Sequence, residues 1–194
     1  MPVVLSVLSH AHIADVVALI DAPARAMLRE AGATAHQARA RVARLKGPRQ
    51  IAAMLEAPAP DVLYGARDAA GTLLGVAGLR VSAPGEAELH TMYLAQAAQG
   101  RGLGRALTEQ RLDHARAAGL DSVYLRTATS NLRIQRLAAS LGFTLSDYLD
   151  EPSMPGVAWQ IWRLHGLQHQ RGGVLASIQS TEGRRSATSV SGSR

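Results

Sequence analysis

Between residues 99 and 105 the chain reads Gln-Gly-Arg-Gly-Leu-Gly-Arg, with three glycines in five positions and an arginine on each side of the last pair. Glycine leaves the backbone bare, so a run of N–H groups ahead of a helix can approach an anion and benefit from the helix dipole. Arg101 and Arg105 could add charge-assisted contacts to the same anion. Two familiar phosphate loops do not fit. A Walker loop requires Gly-Lys followed by a hydroxyl residue, and the segment has no lysine; a dinucleotide loop requires a glycine three residues past Gly102 or Gly104, where Arg105 and Leu107 stand. What fits is Gln99-x-x-Gly102-x-Gly104. Taken alone, it leaves a phosphate cradle and a plain turn both open.

The surrounding elements decide what such a loop can be attached to. The segment Ala87 to Ala95 (AELHTMYLA) precedes it and alternates like a strand, while RALTEQRLDHARAAG follows with helical spacing and closes on Gly119, a residue suited to a left-handed cap. Upstream lie a strand at Val3 to Ser9, helical stretches punctuated by Pro23, Gly32, Gly47, Pro48 and Pro58, and two strands joined by a turn at Asp68 to Gly71. Downstream come SVYLRTA as a strand, NLRIQRLAASLG as a helix ending at Gly142, and FTLSDYL and VAWQIWRL as strands. The order is strand, helices, three strands, helix, strand, helix, two strands: an α/β chain of mixed α+β character in one domain over residues 1–168.

With 194 residues, 47% of them apolar and 19% charged, the chain can bury a core of its own. No cysteine is present, which excludes disulfides and thiolate metal sites, and His165 with His169 lacks a third ligand nearby, so no metal is expected. The N-terminal stretch lacks the basic start of a secretory signal and no apolar run would span a bilayer, so a cytoplasmic protein without membrane contact is expected. The net charge of +6 is unevenly spread. Half of it comes from the Ser/Gly-rich segment that begins at Arg171, and residues 169–194 are expected to be a disordered basic tail. A second basic zone, Arg39 to Arg49, has arginines on several helix faces and no interleaved aromatics, which favours a solvated surface over nucleic acid and is compatible with attraction of anionic substrates or cofactors.

The Q-x-x-G-x-G loop, the strand before it and the downstream NLRIQRLAASLGF together resemble the GNAT superfamily of acetyl-CoA-dependent N-acetyltransferases, over about Val3 to Leu164. The resemblance implies a central mixed, largely antiparallel sheet of six to seven strands flanked by helices. It implies that the backbone of Gln99, Gly100, Arg101, Gly102, Leu103 and Gly104 holds the pyrophosphate of coenzyme A, with Arg101 and Arg105 nearby. Met92, Tyr93 and Leu94 would pair their main chain with the pantetheine arm, as an added strand does, and Asn131 would hydrogen-bond that arm. Glu88 or His90 would be the general base. Residues two apart point to the same side of a strand, and an alkylamine must lose a proton before it attacks a thioester. His90 titrates in a suitable range unaided, whereas Glu88 would need burial or a relaying water; either can also be a residue with no catalytic part.

The sequence departs from the family in one place. Where many members carry a tyrosine that protonates the departing thiolate, this chain has Ala138, leaving Tyr148, a water, or an unassisted thiolate. The activity implied is transfer of an acetyl group from acetyl-CoA to a primary amine, a small molecule or a peptide, by direct attack in a ternary complex. The alternative is a non-catalytic acyl-CoA-binding sensor or interaction module. The resemblance leaves room for a homodimer. Trp159 and Trp162, three apart on a strand, must face opposite sides. Asp150 or Glu151 could attract a cationic amine, although a solvated loop is the plainer assignment. The helices between His10 and Glu56, where an acceptor site would vary, carry no legible motif.

Overall fold

A computed structural model describes residues 2–150 and 158–169; residues 170–194 of the expected tail and Glu151 lie outside the described residues. The first strand, β1 (Val3–Val7), leads into α1 (Ile13–Glu30), α2 (Ala35–Lys46) and α3 (Pro48–Glu56). Three strands follow, β2 (Val62–Asp68), β3 (Leu73–Ala83) and β4 (Glu86–Leu94), then α4 (Leu103–Ala117), β5 (Ser122–Ala128), α5 (Leu132–Ser140), β6 (Thr144–Asp150) and β7 (Ala158–Leu164). The seven strands form one sheet in the order β1-β2-β3-β4-β5-β7-β6. Every neighbouring pair is antiparallel except β4 with β5. This is the mixed, largely antiparallel sheet expected.

Local chemistry explains most boundaries. The β2–β3 hairpin turns where Asp68 Oδ1 accepts from the N–H groups of Ala70 and Thr72, at 3.0 and 2.9 Å, with Gly71 at φ 81°. Thr34 and Gln37 cap α2 reciprocally: the Gln37 N–H donates to Thr34 Oγ1 at 3.2 Å and the Thr34 N–H to Gln37 Oε1 at 2.8 Å. Pro48 opens α3, where a missing N–H costs nothing. Pro23 departs from the sequence expectation. It lies inside α1 rather than at a boundary and denies the Leu19 carbonyl its helical donor. The buried stripe Val16, Ile20, Ala24 and Leu28 carries the helix across it.

Alternation along the strands divides the core into two layers. Tyr64, Ala77, Leu79, Ala87 and Leu89 pack with Leu107 and Leu112 of α4 on one face. On the other face Leu63, Val76 and Tyr93 pack with α1 to α3. Trp162 joins the first layer and Trp159 the second, as their spacing requires. Among the described residues no helix is long and apolar enough to cross a membrane.

Candidate active site

The parallel pair is short: β4 and β5 are in register only over Glu86 to Glu88 against Ser122 to Tyr124. Beyond that point β4 stays with β3 as far as Leu94, while β5 follows β7 as far as Ala128. The two strands therefore part, and a cavity of about 590 Å³ occupies the region, with walls from α1, α2, α4, α5 and the diverging strands. Met92, Tyr93 and Leu94 lie on the stretch of β4 past its pairing with β5, so that edge has no partner strand, although Leu94 O there accepts from Gln99 Nε2 at 3.3 Å.

A twist in β4 sets the wall chemistry. Thr91 has φ 52°, in the left-handed region that a β-branched residue rarely adopts, and the β3–β4 register shifts between Val76 and Gly78. As a result Thr91 reaches Lys46 of α2 and Met54 of α3, Met92 packs on the α4 layer, and Tyr93 on the α1 to α3 layer. The carbonyls around the irregularity are served from α4. Arg111, only 2% exposed, donates to Gly78 O at 3.1 Å and His90 O at 3.4 Å. Its other N–H groups go to Leu107 O, Thr108 Oγ1 and Met92 Sδ. Burial pushes this guanidinium down to about 9.

The structure brings Glu88 and His90 together on the cavity wall. Glu88 is buried, with Oε2 at 2.6 Å from Arg80 of β3 and Oε1 at 2.7 Å from Arg126 of β5. The carboxylate thus ties the two strands that flank the point of divergence. His90 lies flat against β3: a Cβ on Gly78 would stand 2.5 Å from its Cε1, so only glycine leaves room for the ring. Burial, together with the nearby charges of Lys46, Arg80 and Arg111, pushes the imidazole down to about 3, so it is neutral at pH 7. His90 Nδ1 is 2.7 Å from Thr91 Oγ1, which accepts from Lys46 Nζ. We assign the Thr91 hydroxyl proton to His90 Nδ1, which places the imidazole proton on Nε2. Lys46 is itself pushed down to about 8, first by burial, against the attraction of Glu88.

At the other end of the gap, Gly100 and Gly102 adopt φ of 73° and 80°, and a Cβ on either would meet nothing within 4 Å. The N–H groups of residues 100–105 have no acceptor among the described residues; the first helical bond of α4 is Ala106 N–H to Gly102 O. Gln99 differs from the expectation in detail. Its N–H is engaged by Gln96 O at 3.2 Å, and its side chain joins Leu94 O to Arg133. The open run starts at Gly100. Arg105 is held by Glu109 and Ser140, while Arg101 is exposed. Asn131 lines the cavity and uses Oδ1 to cap α5 at Ile134 N–H. Ala138 lines it too, whereas Tyr148 is 62% exposed on β6 and is not part of the wall. Among the described residues no group of three or more His, Asp or Glu is placed to hold a metal.

Residues 26–143 match the model of the acetyltransferase (GNAT) family. The chain belongs to that family. It is 42% identical over 77 residues to a mycothiol acetyltransferase of Beutenbergia cavernae, covering 40% of this chain and 26% of that protein. It is 40% identical over 91 residues to the N-alpha-acetyltransferase RimI of Mycobacterium tuberculosis, covering 45% of this chain and 56% of RimI. The chain thus spans about a quarter of the first relative and little more than half of the second. In fold it is similar to the PaiA N-acetyltransferase of Thermoplasma acidophilum solved in complex with coenzyme A, with a TM-score of 0.73 at 15% identity over 85% of this chain and 99% of that one.

Sequence reasoning missed Lys46, Thr91 and Arg111. Nothing local marks a helical arginine as buried, and a threonine with positive φ leaves no trace in composition. Lys46 sat within a basic zone assigned to solvent, yet Arg41, Arg44 and Lys46 of that zone line the cavity.

Proposed function

We propose that this GNAT domain transfers an acetyl group from acetyl-CoA to a primary amine by direct attack in a ternary complex. The observation that carries it is the gap between β4 and β5, with an open N–H loop at one end and a polar cavity at the other. The loop fits a pyrophosphate: Gly100 and Gly102 hold positive φ, face open space, and lead into a helix N-terminus. The bare edge of β4 fits an extended amide-bearing arm, and Asn131 has its Nδ2 left to donate to that arm. The donor supplies the activated acyl group; the protein orients it and removes a proton from the amine.

Of the Glu88 and His90 pair we assign the proton acceptor to Glu88, acting through water. His90 takes up a second proton only near pH 3, and its Nδ1 is engaged by Thr91. Both carboxylate oxygens of Glu88 already accept from guanidinium groups, which favours a water-mediated path over direct contact. With alanine at position 138, the thiolate leaves without a side-chain hydroxyl at that point of the wall. The non-catalytic alternative shares the donor site and differs in turnover. Calorimetry with acetyl-CoA, beside thiol release with an amine panel, tests both. Saturable binding with turnover is expected; binding without turnover would favour the sensor, and no binding at millimolar ligand would end both readings.

A further inference from the structure

A thiolate that departs past Ala138 finds no hydroxyl there, and the proton donors elsewhere on the cavity wall are unequal to the task, with one exception. The threonine hydroxyls are far weaker acids than a thiol. Tyr93 is pushed by burial up to about 12, above a thiol that ionises at about 8.5, so it keeps its proton. The arginines are held above a thiol too, Arg111 included at about 9. His90 is neutral until about pH 3. The exception is Lys46.

Lys46, the last residue of α2, stands where such a proton is needed. A donor with its pyrophosphate at residues 100–105 and its arm along β4 runs backward from Leu94 through Tyr93 to Met92, which brings its thioester level with Thr91. The Lys46 ammonium donates to Thr91 Oγ1, so it lies at that level and on the same cavity. Thr91 is fixed in turn: its hydroxyl is shared with His90 Nδ1 at 2.7 Å, and its backbone sits in the β4 irregularity. That bond occupies one of the three ammonium N–H groups and is the one hydrogen bond of Lys46 among the described residues. Burial pushes the ammonium down to about 8, against the attraction of Glu88 on β4 and with the repulsion of Arg80 on β3 and Arg126 on β5. It lies just below a thiol, so the proton passes downhill from nitrogen to sulfur.

We propose that Lys46 is the catalytic acid of the transfer, giving a proton from its ammonium to the sulfur of coenzyme A as the carbon–sulfur bond breaks. The proposal rests on the acetyltransferase reading. Its protons balance over one cycle. An amine that enters as an ammonium loses one proton through water to Glu88, and from there to solvent. The freed nitrogen lone pair forms the bond to the acyl carbon, and the carbon–sulfur electron pair leaves with the sulfur, which takes the Lys46 proton. The nitrogen then sheds its second proton through water to the neutral Lys46 and restores the ammonium. The acid form of Lys46 predominates at pH 7 and is lost through about 8, so kcat should fall on the alkaline side.

Two measurements on the full chain test it. The first needs no acceptor and follows the ultraviolet absorbance of the thiolate of bound coenzyme A against pH. With the ammonium beside the sulfur, the bound thiol should ionise about one pH unit or more lower in the parent than in Lys46→Gln. The second is thiol release from saturating acetyl-CoA with ethanolamine, benzylamine, γ-aminobutyrate and spermidine. For an amine that turns over, Lys46→Gln should lower kcat at pH 7 by about tenfold or more and remove the fall above pH 8, with the KM for acetyl-CoA unchanged. Lys46→Arg keeps the charge but holds its proton, so it should restore the lowered thiol ionisation and not kcat. Arg39→Gln, exposed on α2, should change neither. A thiol that ionises alike in the parent and Lys46→Gln, a kcat indifferent to Lys46, or full recovery of kcat in Lys46→Arg would each overturn the proposal. Failure to bind acetyl-CoA, or binding without turnover of any amine, would instead overturn the acetyltransferase reading beneath it.

Discussion

The loop end and the α2 end of the cavity are built on opposite terms. The loop end uses backbone: consecutive N–H groups of residues 100–105, made accessible by glycines at positive φ and gathered in one short stretch of chain. The α2 end uses side chains from elements far apart in sequence, with Lys46, Glu88, Thr91, Arg126 and Trp159 meeting across the divergence of β4 and β5. A site made of backbone tolerates little change in its few special residues. One made of side chains can be retuned one residue at a time.

The widest effect separating the two ends is expected from Gly102→Val. A β-branched residue at φ 80° strains the loop and covers the N–H run, so acetyl-CoA affinity measured by calorimetry should fall about a hundredfold, with the core undisturbed. An unchanged affinity would break the comparison at its firmest point. Next comes the base. Glu88→Gln should cut kcat about a hundredfold, whereas His90→Gln should cost less than about tenfold, because the imidazole is neutral and pinned. The reverse order in a pH series of kcat/KM would move the base to His90.

Smaller effects concern stability. Below pH 6.5 the unfolded chain protonates His90, while the folded chain does not until about pH 3. The unfolded state therefore binds more protons in that window, and stability, complete above 6.5, should fall as pH drops through it. Urea midpoints for His90→Gln should show a flatter acid limb than the parent. Lys46 works at the alkaline end: held at about 8 when folded against 10.5 as a free side chain, it gives a stability that rises with pH between those values. Lys46→Met should abolish that rise and, at pH 7, lift Tm by about 3 °C through removal of a desolvated charge.

The same contrast explains what could be read from the sequence. The loop was legible because its glycines are closely spaced and Gly100 and Gly102 answer a backbone need, and the helix ends at Gly119 and Gly142 were legible for the same reason, at φ 74° and 87°. The order of strands followed from alternation and turn chemistry. Pro23 misled because a local rule for helix boundaries yields to a buried stripe spaced every four residues. Arg41, Arg44 and Lys46 were hidden in a basic helix whose inward face depends on where β4 twists, and that twist hangs on Thr91, a residue type with no preference for it. Gly78 was passed over for want of a partner in view; its meaning appears only beside the His90 ring.

The short register between β4 and β5 has a mechanical consequence. The sheet is two stiff plates, β1 to β4 and β5 with β7 and β6, each laced by antiparallel ladders and joined to the other along a seam of three residue pairs. Glu88 is the rivet of that seam, gripping Arg80 on one plate and Arg126 on the other. The plates should flex about it, and a molecule lying lengthwise in the gap would stop the flexing by bridging both edges. Slowed amide exchange in β5 and β7, far from the glycine loop, should then report its arrival.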